Sequence, residues 1–326
     1  MCKEKKQYKK KSTNSGFTPR FRKAFLHPRY WAIWFGIGLL AVLAYVPAKI
    51  RDPFWASVGR FVGKLAKGAR RRARINLLYC MPQLNEKQRE QLIDNMFATA
   101  AQPMVMLAEL YFRGTQSLRS RVHWHGREVL DDVQQQGRNI IFLVPHAWVI
   151  DIPAMLLAAE GKPIAVVFHH QRNLLIDYLW NKARSRFGGR LHAREKGIKP
   201  FISSVRQGFW GHYSPDEDYG ADQSEFVDFF ATYKATLPAI GSLMKVCQAA
   251  IVPMFPVYDY DKHRLDVYIH PPMNDLAQAD NHYIARRMNE EIEALVSPYP
   301  EQYTWILKLI KTRRQGEIDP YAREDL

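Results

Sequence analysis

The stretch IIFLVPHAWVIDIPAM, residues 140–155, decides how this chain is read. Residues 140–144 are apolar at every position, which marks a strand covered on both faces rather than one with a wet side. Pro145 cannot continue a strand's hydrogen-bond ladder, so His146 stands where the strand ends. The next apolar run reads as a helix to about Glu160, with Asp151 and Pro153 tolerable in its first turn. Polar groups in such surroundings need a partner or a task. A histidine and an aspartate five apart point about 140° apart on one helix. They pair only if His146 stays on the turn and Asp151 opens the helix. The carboxylate then accepts the Nδ1 proton and leaves Nε2 free as a base. For a lone HxxxxD, a histidine satisfied by local hydrogen bonds is the competing reading.

Outward from this stretch the chain alternates. Strands are expected at 164–168, in a short run before Pro215, and at 226–230, 251–258 and 263–270. Helices are expected up to Gly137, then at 173–187, 197–207, 237–248, 281–296 and 301–312. This is the pattern of an α/β fold, a mixed sheet flanked by helices, with binding sites at the carboxyl ends of its strands. Upstream, Asn85 caps a helix from Glu86 to about Arg113 that Gly114 stops. Its Met-rich face, MFATAAQPMVMLAELYF (96–112), suits core packing or an acyl chain. Residues 53–80 read as one amphipathic helix, lying on a membrane or presenting a solvated face.

Tyr30 to Ala48 carry no charge across 19 residues. As a helix such a run spans about 28 Å, so an N-terminal transmembrane helix is expected, with a signal peptide and a buried core helix as the alternatives. The net charge is +15, yet residues 1–74 hold 19 of the 47 Lys and Arg against only Glu4 and Asp52. The remainder carries 28 bases and 30 acids. Charge that brackets an apolar segment suits anionic lipid and argues against a nucleic-acid partner. Cys2, Cys80 and Cys247 are too scattered for a disulfide framework or a metal-ligand spacing. The expected organisation is a basic arm (1–20), a membrane anchor (30–48), membrane-surface and acyl-chain helices (53–114) and an α/β catalytic domain (120–326).

Eight bases lie between 182 and 206: Lys182, Arg184, Arg186, Arg190, Arg194, Lys196, Lys199 and Arg206. They suit phosphates or an acidic carrier protein, or form a solvated helix face. Residues 216–228 supply six acids and no base, a weak signal for a metal, and no metal is assigned. His123, His125, His169 and His170 have no convincing ligand set and read as structural.

VPHAWVIDIPAM, RFGGRLHAREKGIKPF, PDED followed by EFVDFFATYKAT, and RRMNEE with PEQYTWILKLIKTR occur in an order that resembles the late acyltransferases of lipid A biosynthesis, the myristoyl/lauroyl-transferring branch most of all. The resemblance runs from HPRYW at 27 to GEIDPY near 321. It implies a glycerolipid-acyltransferase-like α/β fold behind an N-terminal membrane segment, at the cytoplasmic face of the inner membrane. It also implies an acyl carrier protein donor, a Kdo-bearing lipid A precursor as acceptor, and no cofactor. His146 and Asp151 match the family's H-x4-D/E motif as catalytic residues. Asp216 opens a PDQD-like motif whose third position here is Glu217, and FFG reads FFA at Ala231. Arg172 and Asn173 fall near an Arg-Pro-Asn run, and with Arg186, Arg190 and Asp216 they are the expected substrate contacts. The residues suit that chemistry, because a thioester is already activated and a hydroxyl needs only a base. Acylation of a glycerophospholipid, and a non-enzymatic cationic membrane-surface protein, are the alternatives.

Overall fold

The protein's structure is a computed structural model that describes residues 16–323. The apolar N-terminal segment does not form a spanning helix. It folds as α1 (Trp31–Leu43), a turn, and α2 (Ala48–Leu65), both packed on the long helix at 86–113. Thirteen residues of α1 rise only about 20 Å, well short of a bilayer core of about 30 Å. Among the described residues no helix is long and apolar enough to cross a membrane, which corrects the expected transmembrane span at 30–48.

A buried ion network is the physical reason for the turn. Arg51 donates to the carbonyls of Leu43 and Val46, the end of α1, while its other nitrogen meets Glu109 at 2.5 Å. Glu109 also takes Arg121 at 2.8 Å. Asp52 accepts from the Tyr258 hydroxyl and lies 2.9 Å from His263 Nδ1. Arg51, Asp52 and Glu109 are each at most 2% exposed, so separating the helix pair from the body would strand charges that only these partners satisfy.

The expected amphipathic helix at 53–80 is two helices. Ala66, at φ −80° and ψ 57°, breaks α2 from α3 (Lys67–Cys80). The expected helix α4 (Glu86–Arg113) forms with Asn85 and Gln88 in a reciprocal capping box. Its Pro103 is tolerated inside the helix. Gly59 and Gly63 let α2 lie directly on α4, since a Cβ at Gly59 would sit 2.3 Å from the Phe97 carbonyl oxygen. Met96 and Met106 on α4 are fully buried and serve the core. Of the expected basic arm, residues 1–15 lie outside the described residues, whereas Phe17 donates its N–H to the Leu191 carbonyl at 2.6 Å.

The body continues with β1 (Val122–His125), α5 (Glu128–Gln135), β2 (Asn139–Leu143), α6 (Asp151–Ala159), β3 (Ile164–Phe168), α7 (Leu174–Arg184) and β4 (Arg190–Ala193). After these come α8 (Lys199–Arg206), β5 (Trp210–Tyr213), β6 (Glu225–Phe229), β7 (Thr232–Thr236), α9 (Ala239–Cys247), β8 (Ala249–Asp259), β9 (Arg264–Ile269) and α10 (Asn281–Val296). Seven strands form one mixed sheet in the order β1-β9-β8-β2-β5-β3-β4, parallel at every pairing except β8 with β9. β6 and β7 make a separate antiparallel hairpin. Successive β2 side chains enter opposite layers: Ile141 and Leu143 join α3, α4, α8, α9 and α10, whereas Ile140 and Phe142 face α5 and α6. This is the double coverage that an unbroken apolar strand implies.

The expected helix at 301–312 is absent. Its backbone is claimed by tertiary partners: Thr304 N–H reaches the His146 carbonyl, and the Asn76 side-chain amide donates to the carbonyls of Trp305 and Leu307. Helical hydrogen bonding would leave those groups unpaired.

Candidate active site

The parallel pair β2 and β5 ends side by side, and each strand is followed by a proline and then a titratable residue. Val144 N–H bonds the Tyr213 carbonyl, Pro145 leads to His146, and Pro215 leads to Asp216. His146 Nδ1 lies 2.5 Å from Asp216 Oδ1, and the His146 backbone N–H donates to Oδ2 of the same carboxylate at 2.7 Å. Thr304 grips the His146 carbonyl through its backbone N–H and its hydroxyl. Main chain and ring are therefore both held. A carboxylate on Nδ1 selects the tautomer that presents a bare Nε2.

Burial alone would hold His146 neutral. The charge of Asp216, its hydrogen bond, and then the charge of Glu217 more than offset this and raise the histidine's pKa, against an opposing push from Lys234. Asp216 is fully enclosed, yet His146 and then Lys234 pull its pKa down to about 2. Lys234, also fully buried on β7, donates to the Asp216 backbone carbonyl at 2.5 Å. Burial lowers its pKa while Asp216 and Asp218 resist that shift. Asp218 accepts the Thr312 N–H and hydroxyl, both at 2.7 Å, which ties the PDED turn to the C-terminal segment. Tyr303 adjoins Asp216, and burial and then that carboxylate keep its hydroxyl protonated well above the ordinary range.

Asp151 does not reach His146. Its Oδ1 takes Arg184 Nε at 2.7 Å, and its Oδ2 takes Arg184 Nη2 at 3.1 Å and Trp180 Nε1 at 2.9 Å. The carboxylate on His146 is thus Asp216, an expected substrate contact carried just beyond the neighbouring strand β5, and not Asp151, the expected partner, which instead anchors α6 to α7. Burial opposes the charge on Asp151, but Arg184 wins and holds its pKa low. His212 on β5 is its neutral neighbour, driven down to about 4 by burial.

The expected substrate contacts disperse. Asn173 caps α7 through the N–H groups of Leu175 and Ile176, and Arg172 beside it is exposed. Arg186 stacks on the Tyr111 ring at 4.8 Å. Arg190 opens the edge strand β4, three strands from β2, and is held by Gln207 and the face of Phe209. The arginine that does reach the rim of the site is Arg194, after β4, whose Nη1 lies 3.2 Å from Glu217 Oε2. The six acids of 216–228 also separate. Asp216 and Asp218 are buried on different partners, and Asp222 and Asp228 are exposed. Among the described residues no group of His, Cys, Asp and Glu gathers in a way that would hold a metal ion. His125, His170 and His169 pair with Asp266, Asp177 and Glu195 respectively.

A histidine braced by a carboxylate at the carboxyl edge of a sheet is an arrangement that can take a proton from a hydroxyl. The sequence pattern of the bacterial lipid A biosynthesis acyltransferases matches residues 18–312, and the chain belongs to that family. It is 58% identical over 316 residues to the lipid A biosynthesis myristoyltransferase of Escherichia coli (strain K12), covering 97% of this chain and 98% of that one. It is 56% identical to lipid A biosynthesis acyltransferase 2 of Shigella flexneri, over 95% of this chain and 99% of the relative. The lipid A biosynthesis lauroyltransferase of E. coli (strain K12) is 30% identical over 93% of this chain and 99% of its own. The protein is an acyltransferase of lipid A biosynthesis.

Proposed function

We propose that the protein transfers a fatty acyl group of myristoyl type from an acyl carrier protein thioester to the hydroxyl of a 3-hydroxyacyl chain on a Kdo-bearing lipid A precursor. The observation that carries the mechanism is the Nδ1–Asp216 bond, which leaves Nε2 as the one ring nitrogen available to a substrate. The acceptor hydroxyl oxygen attacks the thioester carbonyl while Nε2 takes its proton. The tetrahedral intermediate expels the carrier's thiolate, to which the imidazolium returns the proton. Asp216 stabilises the imidazolium between these steps, and no covalent acyl-enzyme is needed.

An apolar groove of about 560 Å³ runs between α1, α2, α4 and α7, with Leu40, Val58, Phe97, Met104 and Leu179 among its walls. Its almost wholly apolar lining supports the groove as the seat of an acyl chain. The exposed Trp31, Phe35, Val42, Phe54, Phe61 and Leu65 on α1 and α2, with exposed Lys49, Lys64 and Lys67, support seating of this helix pair in the headgroup region. We place the reaction at the cytoplasmic face of the inner membrane on that ground and on the nature of the donor.

The test is purified protein given myristoyl acyl carrier protein and the Kdo-bearing precursor, with products read by mass spectrometry. Addition of one acyl chain to the precursor is expected, and His146→Ala should cut turnover by about 10² or more. A clear preference for a monoacyl glycerophosphate acceptor overturns the acceptor assignment, and undiminished turnover by His146→Ala overturns the mechanism.

A further inference from the structure

Asp216 accounts for one edge of the His146 ring. The other edge faces Glu217, whose Oε1 stands 3.8 Å from Nε2, while its Oε2 lies 3.2 Å from Arg194 Nη1. The first distance is too long for a hydrogen bond and short enough for strong charge coupling. The second is a direct ion pair. Glu217 therefore hangs between the base and a cation that pulls it off the base. Arg194 is itself steadied on the Tyr219 ring at 4.5 Å.

We propose that Glu217 is a positioning residue for the acyl transfer, a second carboxylate that stands over the open Nε2 edge of His146 on a tether to Arg194. This rests on the reading of His146 as the base. At 3.8 Å the carboxylate neither bonds Nε2 nor admits a hydroxyl oxygen between the two atoms, so an acceptor must approach Nε2 from beside it, and the tether sets both how much of the edge is open and how strongly the imidazolium is favoured. Without Arg194 the carboxylate is free to close directly on Nε2, where it blocks the acceptor and holds the ring protonated. Among the described residues, the other charged or titratable groups coupled to the ring are Asp216 from the same turn, His212 from β5 and Lys234 from β7, with Tyr303 of the C-terminal segment behind Asp216. Each of these is buried and fixed by packing, whereas Glu217 and Arg194 are partly exposed, so this pair can be adjusted from outside.

The test uses the full chain with its histidines labelled at the Cε1 carbon, the His146 signal being assigned by its loss in His146→Gln. Glu217→Gln should lower the midpoint at which His146 titrates, and Arg194→Gln should raise it. The double variant should match Glu217→Gln, because Arg194 acts through the carboxylate. The acid limb of kcat/KM should move in the same directions. Turnover of Glu217→Gln relative to wild type should be about threefold higher on that limb than on the plateau, the scale of a partly exposed charge. An unmoved midpoint in Glu217→Gln overturns the proposal, as does an Arg194→Gln shift that persists undiminished in the double variant. Midpoints that move while the rate limb stays would remove His146 from the reaction, which is failure of the functional reading, and would leave the Glu217–His146 coupling standing.

Discussion

Asp216 holds His146 by both of its oxygens, one on the ring at Nδ1 and one on the backbone N–H, so a single side chain fixes tautomer, ring plane and the turn that carries the ring. Asp216→Asn keeps the shape but offers an amide that cannot accept at both contacts. Turnover should fall by about 10²–10⁴ with little change in acceptor KM, since the loss is in proton transfer rather than binding. Steady-state kinetics with both substrates saturating in turn measures it, and an Asp216→Asn enzyme at wild-type turnover would contradict the arrangement.

The same pair sets a pH dependence. His146 has a raised pKa, so as pH falls its ring takes a proton above the ordinary histidine range and the base is lost. The acid limb of kcat/KM should therefore lie above that range, which centres near 6.5. In Asp216→Asn the limb should move to lower pH, because the chief charge stabilising the imidazolium is gone. A limb that stays in place would show that another group titrates.

Asp151 carries a different kind of weight. Its pair with Arg184 is mostly sequestered, with side chains 12% and 21% exposed. Asp151→Asn should cost about 3 kcal/mol of stability, the lower end for stranding one partner of a buried pair. Urea unfolding reads this. Arg184→Gln should cost a similar amount, and the double variant less than the sum if the two act as a pair.

How much of this was legible in the residues follows from how local each signal is. Strands such as IAVVF and the Asn85-capped helix are written in a few adjacent side chains, and both stand where the periodicity puts them. The partner of His146 is set by strand order, since β5 lies beside β2 although about 70 residues separate His146 from Asp216. An H-x4-D spacing carries no information about that neighbour. Lys234 was hidden for a like reason, being a lone base in TYKAT whose burial depends on the hairpin packing under the PDED turn. The apolar run at 30–48 looks long enough to span a membrane until Arg51 is seen closing on its last carbonyls, a contact that hydropathy cannot register.

Arg51 accordingly should control the helix pair. Arg51→Met removes the donor to Leu43 and Val46 and leaves Glu109 with Arg113 and Arg121. The turn between α1 and α2 should loosen first, because the α2–α4 contact through Gly59 and Gly63 remains. Limited proteolysis should show a new cut between residues 43 and 51 at protease levels that leave the wild type whole. A digestion pattern identical to wild type would mean the apolar packing of α1 suffices on its own.

Lys234 offers the sharpest test of the site's electrostatics, because its charge opposes that of Asp216 from beneath. It is fully buried, its ammonium donates to the Asp216 backbone carbonyl, and its positive charge lowers the pKa of His146. In Lys234→Met that charge vanishes while the stem's volume is kept, so the imidazolium is stabilised further and the acid limb of kcat/KM should move to higher pH. This is the opposite of the shift in Asp216→Asn. The unpaired Asp216 carbonyl should cost about 1–3 kcal/mol of stability, enough to see in urea unfolding without abolishing the fold. Rate profiles across the acid limb and unfolding curves of the same samples separate the two effects. A limb that stays in place in Lys234→Met would show that the lysine is not charged beneath the site, and that its role there is the hydrogen bond alone.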